Sequence, residues 1–125
     1  MSPGPTSLIL PVHLKSTDTM VEVGADALGD TGATGDFIDE DYVKECNLPT
    51  RNLSQPIPVF NVDGSPNEAG LISKVVDVLM TYQTHSERIL LAVTKLGKQK
   101  VILGYTWFKK HNPDIDFTMG TVKMT

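Results

Sequence analysis

With 125 residues, 40% hydrophobic and 21% charged, the chain is the size of one compact domain that removes about two-thirds of its surface from water on folding. It is too short for a two-domain enzyme. Its net charge of -4, with eleven scattered Lys and Arg residues, leaves no basic footprint and argues against nucleic acid as a partner, and its single cysteine, Cys46, excludes an internal disulfide and every multi-cysteine metal site.

Residues 1–6 carry Pro3 and Pro5 and lack the basic start and apolar core of a signal peptide, so they read as a flexible leader before a domain spanning 7–125, with a cytoplasmic location expected. Ser7 to Lys15 alternates loosely and is rich in Leu, Ile and Val; the polar tetrad Ser16-Thr17-Asp18-Thr19 and a second β-like run from Met20 to Leu28 complete a hairpin. Its apolar core, Leu8 to Leu14, is interrupted by Pro11 and His13 and falls far short of the roughly 18 residues that a membrane span needs. No membrane partner is expected.

Three glycines in the seven residues Gly29 to Gly35 mark a sharp turn after the second strand. Phe37 and Ile38 form a short apolar pair, and Asp39-Glu40-Asp41 then opens a short helix that Asn47 and Pro49 close. Thr50 to Pro58, with two prolines, reads as an extended loop, and Val59 to Val62 leads into a polar hairpin tip, Asp63 to Gly70. Leu71 to Tyr82 and Glu87 to Thr94 make a second hairpin around Gln83 to Ser86. Val101 to Gly104 reads as a buried strand, Thr106 to Lys110 as a short helix stopped by Asn112-Pro113, and Phe117 to Met124 as a final strand. The order of strands, Gly turn and short helix has a faint internal echo.

The chemistry concentrates at Asp30, presented by a Gly-containing turn after an apolar strand, with hydroxyl residues Thr31 and Thr34 beside it. Such a turn exposes the carboxylate and lets backbone N–H groups approach it. An isolated D-T-G is more commonly an Asx-type turn. Here it continues as Asp30-Thr31-Gly32-Ala33-Thr34, followed by Gly35, Phe37-Ile38 and, far downstream, Ile102-Leu103-Gly104. In that order these residues resemble the retropepsin-type aspartic proteases, whose signature is D-[ST]-G-[AS]-T with a later apolar-apolar-Gly motif. The stretch "ILGYTWFKKHNPDIDF" looks most like the protease domain of Ty3/gypsy-type long-terminal-repeat retrotransposons, close to fungal gag-pol polyproteins.

The resemblance covers roughly Ser7 to Met124. It implies an all-β closed barrel with a flap hairpin and one or two short helices, no cofactor and no metal, and a homodimer that cuts its own polyprotein, within a virus-like particle where the element is active. Two adjacent carboxylates share one proton, the charged one activating water and the protonated one polarising the scissile carbonyl. No second D-[ST]-G occurs in the chain, so the partner carboxylate is expected from Asp30 of another copy on a twofold axis. By the same resemblance Thr31 would tie the two loops together and Gly32 would take substrate backbone. The flap residues Val62, Asp63, Gly64, Ser65, Pro66 and Asn67 would close over the peptide. Ile102, with Phe37 and Ile38, would line subsites beside Gly35. Leu103 would be structural, and Gly104 would let the next helix pack beneath the loop. One position departs from the family: a large apolar residue normally precedes the catalytic Asp, and here it is Gly29, which weakens a strand by roughly 0.5–1 kcal/mol against Ala.

Other chemistries fit less well. A calcium loop from Asp30 to Asp41 has Gly35 at the sixth position but Gly32, Thr34 and Asp41 at positions where ligands belong, so Asp36, Asp39, Glu40 and Asp41 read better as helix-start acids. His13, His85 and His111 lack ligand spacing, Cys46 reads as an inert half-buried thiol, and no serine-elbow or phosphate-loop motif is present. Asn52-Leu53-Ser54 fits a glycosylation sequon that is silent without secretion, and Trp107 with Tyr105 and Phe108 reads as core packing rather than a stacking platform. Two function classes stay open: the endopeptidase, which the motif pair favours, and a dimerisation module of the same fold with weak or lost catalysis.

Overall fold

Burial alternates strictly along the first strand, although its side chains alternate only loosely between apolar and polar. The computed structural model describes residues 7–30, 35–60, 66–104, 107, 114–116 and 121–123. In β1 (Ser7–Ser16) Leu8, Leu10, Val12 and Leu14 are buried while Ile9, Pro11 and His13 are exposed, the period of two that a strand with one face on a core requires. Each such leucine contributes roughly 1.5–3 kcal/mol on leaving water. The chain reverses at Thr17–Thr19, where the Ser16 hydroxyl accepts the Asp18 and Thr19 N–H groups at 3.1 and 3.3 Å and Met20 takes a φ of 65°. It returns as β2 (Glu22–Asp30), paired antiparallel with β1 from Lys15↔Glu22 to Ser7↔Asp30.

After β3 (Phe37–Asp39) comes α1 (Glu40–Glu45), the short helix expected there. Asp39 caps it, its carboxylate accepting the Tyr42 N–H at 3.2 Å, and Glu40 and Asp41 in the first turn complement the helix dipole. Asn47, with a φ of 54°, ends the helix, and the Leu48 N–H reaches the Val43 carbonyl at 3.0 Å.

The segment expected as an extended loop, Thr50 to Pro58, is instead mostly strand: β4 (Arg51–Phe60) pairs with β5 (Pro66–Tyr82) from Arg51↔Val75 to Phe60↔Pro66, with register shifts after Asn52 and after Pro58. Pro56 and Pro58 are tolerated because β4 is the terminal strand of its sheet, where one row of N–H groups has no ladder partner to lose. The polar tip expected over Asp63 to Gly70 is correspondingly shorter, since Pro66 to Gly70 already belong to β5. The second hairpin is as expected, but its turn is confined to Gln83 and Thr84, and β6 (His85–Thr94) begins two residues before Glu87.

β7 (Val101–Leu103) is the buried strand foreseen before Gly104. The carboxy-terminal region differs from the single strand expected over Phe117 to Met124. Two short strands, β8 (Asp114–Asp116) and β9 (Thr121–Lys123), pair antiparallel within the same chain. Tyr105, Phe108, His111 and most of the second expected helix lie outside the described residues.

Six strands close into a barrel in the order β1-β2-β7-β3-β6-β5, with β5 returning to β1 through His13↔Thr81 to Ser16↔Val78, and β4 extends outward from β5. The all-β closed barrel with a short helix is therefore as expected. Leu10, Leu14, Ile38, Val76, Leu91 and Leu103 fill its interior, and Trp107, 1% exposed, joins them as core.

Candidate active site

Asp30 is the last residue of β2 and is half-buried. Its strand is held on both sides up to the preceding residue: Gly29, itself buried, sits opposite Leu8 of β1 and opposite Leu103 of β7. The missing side chain at Gly29 therefore does not stop the strand from delivering Asp30.

The chain leaves β2 at Asp30 and re-enters the sheet as β3, and β7 lies between the two, parallel to β2 and antiparallel to β3. Thr31, Gly32, Ala33 and Thr34, which make this crossing, lie outside the described residues. The crossing is fastened at its exit: Asp36 accepts the Gly104 N–H through Oδ1 at 2.9 Å and the Ala92 N–H through its backbone carbonyl at 3.0 Å. Asp36 is thus a tie between the loop and the end of β7, not one of the helix-start acids. Gly104 is buried, and its carbonyl accepts the Trp107 N–H at 3.1 Å. A side chain at Gly35 would meet the Phe37 ring at 3.2 Å, so glycine there leaves that ring its place.

The register separates the residues expected to line subsites. Phe37 stands opposite Ile102, and Ile102 opposite Leu28, so these three share one face of adjacent strands; Leu28, two residues before Asp30, shares its face of β2. Ile38 stands opposite Val101, is 0% exposed and belongs to the barrel core, on the other face from Phe37. Leu103 is likewise core, the structural position expected of it. Counting back by two from Asp30 places Leu28 on this face, but at 2% exposure it packs within the row and leaves Phe37 and Ile102 as its half-buried members. Of the hairpin residues, Pro66 and Asn67 lie in β5, while Val62, Asp63, Gly64 and Ser65 lie outside the described residues.

Around this site the ionisable side chains serve the scaffold. Asp39 accepts the Leu96 N–H at 2.9 Å as well as capping α1, joining the helix to the link between β6 and β7. The Tyr42 hydroxyl donates to the Gly24 carbonyl at 3.0 Å, and burial, then Cys46 nearby, pushes the phenol up to about 12. The Lys100 ammonium lies 5.0 Å from the centre of the Tyr42 ring. His85 bonds to Glu87 at 2.8 Å, and no cluster of three or more metal-ligating side chains occurs among the described residues. A groove of about 450 Å³ opens beside α1, lined by Glu40, Val43, Lys44, Leu48, Lys74 and Val93 among others, and shares no residue with the face that carries Asp30.

The sequence model of the PEG10/RTL1 protease domain matches residues 26–125. The structure is similar to the retroviral protease-like domain of Ddi1 from Leishmania major, with a TM-score of 0.52 and 14% identity over 94% of this chain and 93% of that one. It also aligns with the protease of Simian Foamy Virus (mac), with a TM-score of 0.43 and 14% identity over 79% of this chain and 91% of that one. At such identities the Leishmania likeness speaks for the fold.

Proposed function

The chain belongs to the PEG10/RTL1 protease domain family, and from that premise we propose that it is an aspartic endopeptidase whose reacting carboxylates are Asp30 of two copies of the chain. The observation that carries this is the position of Asp30: the end of a doubly paired strand, half-buried, beside an apolar row of Leu28, Ile102 and Phe37.

With no second D-[ST]-G in the chain, a C2 pair of subunits supplies the second carboxylate. The two share one proton. The ionised one takes a proton from water as its oxygen attacks the scissile carbonyl carbon, and the protonated one hydrogen-bonds the carbonyl oxygen. Collapse of the tetrahedral intermediate then breaks the C–N bond as the nitrogen is protonated. Phe37 and Ile102, the half-buried members of that row, suit extended peptides with apolar side chains near the cut, and the β4–β5 hairpin covers the bound peptide. The substrate we assign is the polyprotein that carries the domain, of the Ty3/gypsy retrotransposon type. The second reading, a binding module with weak catalysis, rests on Gly29; the two ladders that hold Gly29 favour the enzyme.

Digestion of a denatured protein or peptide library over about pH 4–7, with and without pepstatin, for the natural chain and Asp30→Asn, tests the reading. Cleavage abolished by both treatments is the expected result. A dimeric chain that cuts nothing would instead support the binding module.

A further inference from the structure

A charged cluster on the outer wall of the barrel takes no part in the peptidase chemistry. Asp77 is its centre. Leu79, two residues on along the same face of β5, is exposed and Val75 half-buried, yet the Asp77 side chain is 0% exposed beneath two arginines. Arg88 of β6 holds its carboxylate with Nε at 2.9 Å and also with Nη2. Arg51, the first residue of β4, reaches it with Nη1 at 2.7 Å and grips Asp18 in the β1–β2 turn with two bonds of 3.1 and 2.6 Å.

The topology gives this cluster a mechanical position. β5 is shared between two structures: its carboxy-terminal part, Val78 to Thr81, pairs with β1 and closes the barrel, while its amino-terminal part, Pro66 to Val75, pairs with β4. Asp77 lies at the branch. Its carbonyl there accepts both the N–H and the hydroxyl of Thr17, at 3.0 and 3.2 Å, the last bonds between β5 and the β1 side before the strands part.

The two arginines differ in what they join. Arg88 links β5 to β6, strands already laddered from Val75↔Ala92 to Tyr82↔His85. Arg51 links β4, which among the described residues pairs with β5 alone, to a turn of the barrel that has no ladder with it there. Just beyond Arg51 and Asn52 the β4–β5 register breaks and resumes at Ile57.

We propose that Arg51, gripping Asp18 and Asp77 where β5 leaves the closed barrel, anchors the pivot about which the paired strands β4 and β5 move against the barrel. The functional meaning of the pivot rests on the reading that this hairpin covers a bound peptide. Arg51 is then a positioning residue: it touches no substrate and acts through the hairpin.

Backbone hydrogen exchange of the natural chain, Arg51→Met, Arg51→Lys and Asp18→Asn tests the anchor. In Arg51→Met, amides of 52–60 and 66–75 are expected to exchange about tenfold faster, while those of β1, β6 and 78–82 hold their natural rates. Asp18→Asn, in a partly exposed turn, gives the same local pattern more weakly, and Arg51→Lys restores part of the protection because it keeps the charge and loses the bidentate fork. In a cleaving preparation Arg51→Met raises KM more than it lowers kcat. Protection lost evenly over the whole barrel, or hairpin rates unchanged in both Arg51→Met and Asp18→Asn, would overturn the pivot. Exchange is read whether or not the chain cuts peptides, so a chain that cuts nothing leaves this test intact, and an unchanged hairpin in a cleaving chain refutes the pivot alone.

Discussion

Replacing Asp39 with alanine removes two hydrogen bonds made by one buried carboxylate. One is the cap of α1, with Oδ2 accepting the Tyr42 N–H at 3.2 Å; the other is Oδ1 accepting the Leu96 N–H at 2.9 Å from the link that feeds β7. Loss of an N-cap destabilises by about 1 kcal/mol. A partly buried N–H left without its acceptor adds about 1–2 kcal/mol, for a total of roughly 2–3 kcal/mol against a stability of order 5–15 kcal/mol for a domain of this kind. The β3 ladder itself survives, because the Asp39 N–H still donates to the Lys100 carbonyl at 2.8 Å. Asn is the informative control: its amide oxygen still caps the helix, but its NH₂ group meets the Leu96 N–H, a donor facing a donor, so Asp39→Asn is expected to fall between the natural chain and Asp39→Ala. Urea denaturation followed by circular dichroism, with midpoints compared at a common slope, measures both. A loss below about 0.5 kcal/mol in Asp39→Ala, or equal losses in Ala and Asn, would refute the two-bond account.

Ile38→Ala and Phe37→Ala should separate core from site. The first empties a fully buried position and is expected to destabilise by about 2–5 kcal/mol, whereas the second, at a half-buried residue, should change which peptide bonds are cut more than it changes the unfolding midpoint. Asp77 gives a pH prediction. The Arg88 guanidinium holds its carboxyl below the ordinary 3.8, so the stabilisation is fully present above that value and is lost as pH falls through the depressed folded one. Stability of the natural chain should therefore drop more steeply below about pH 4 than that of Asp77→Asn, measured by urea midpoints at each pH.

The parts of the fold legible in the sequence are those where local chemistry and burial agree. β1 alternates, if loosely, and is rich in Leu, Ile and Val, the Ser16 to Thr19 turn has its hydroxyl acceptor, and α1 begins on an acid cap and ends on Asn47. β4 is hard to read because an edge strand carries two prolines and, over 51–56, little burial, so neither periodicity nor propensity marks it. The carboxy-terminal strands were hidden for a related reason: three residues each are too few to show a period.

At the site, the D-T-G-A-T motif pointed to Asp30 without help from geometry. Adjacent residues of a strand point to opposite faces, and that rule, applied to β3, already separates Phe37 from Ile38 and would have brought in Leu28 through Asp30. The cluster of Asp18, Arg51, Asp77 and Arg88 had no local signal, because its members come from a turn and three strands and meet only once register is known. Asp36 reads as one of the acids around it because its partner, the Gly104 N–H, lies just past β7, far along the chain.

The central claim is that the reacting centre needs Asp30 from two chains, and mixing tests it most directly. A fixed amount of the natural chain is equilibrated with rising amounts of Asp30→Asn, and cleavage of one peptide is followed. If each active centre takes one carboxylate from each subunit, an equal admixture reduces the rate to about half, because mixed pairs are dead, and further excess drives it toward zero. A rate unchanged by any excess of Asp30→Asn, with mixed pairs shown to form, would mean that one chain carries a complete site and would contradict the account.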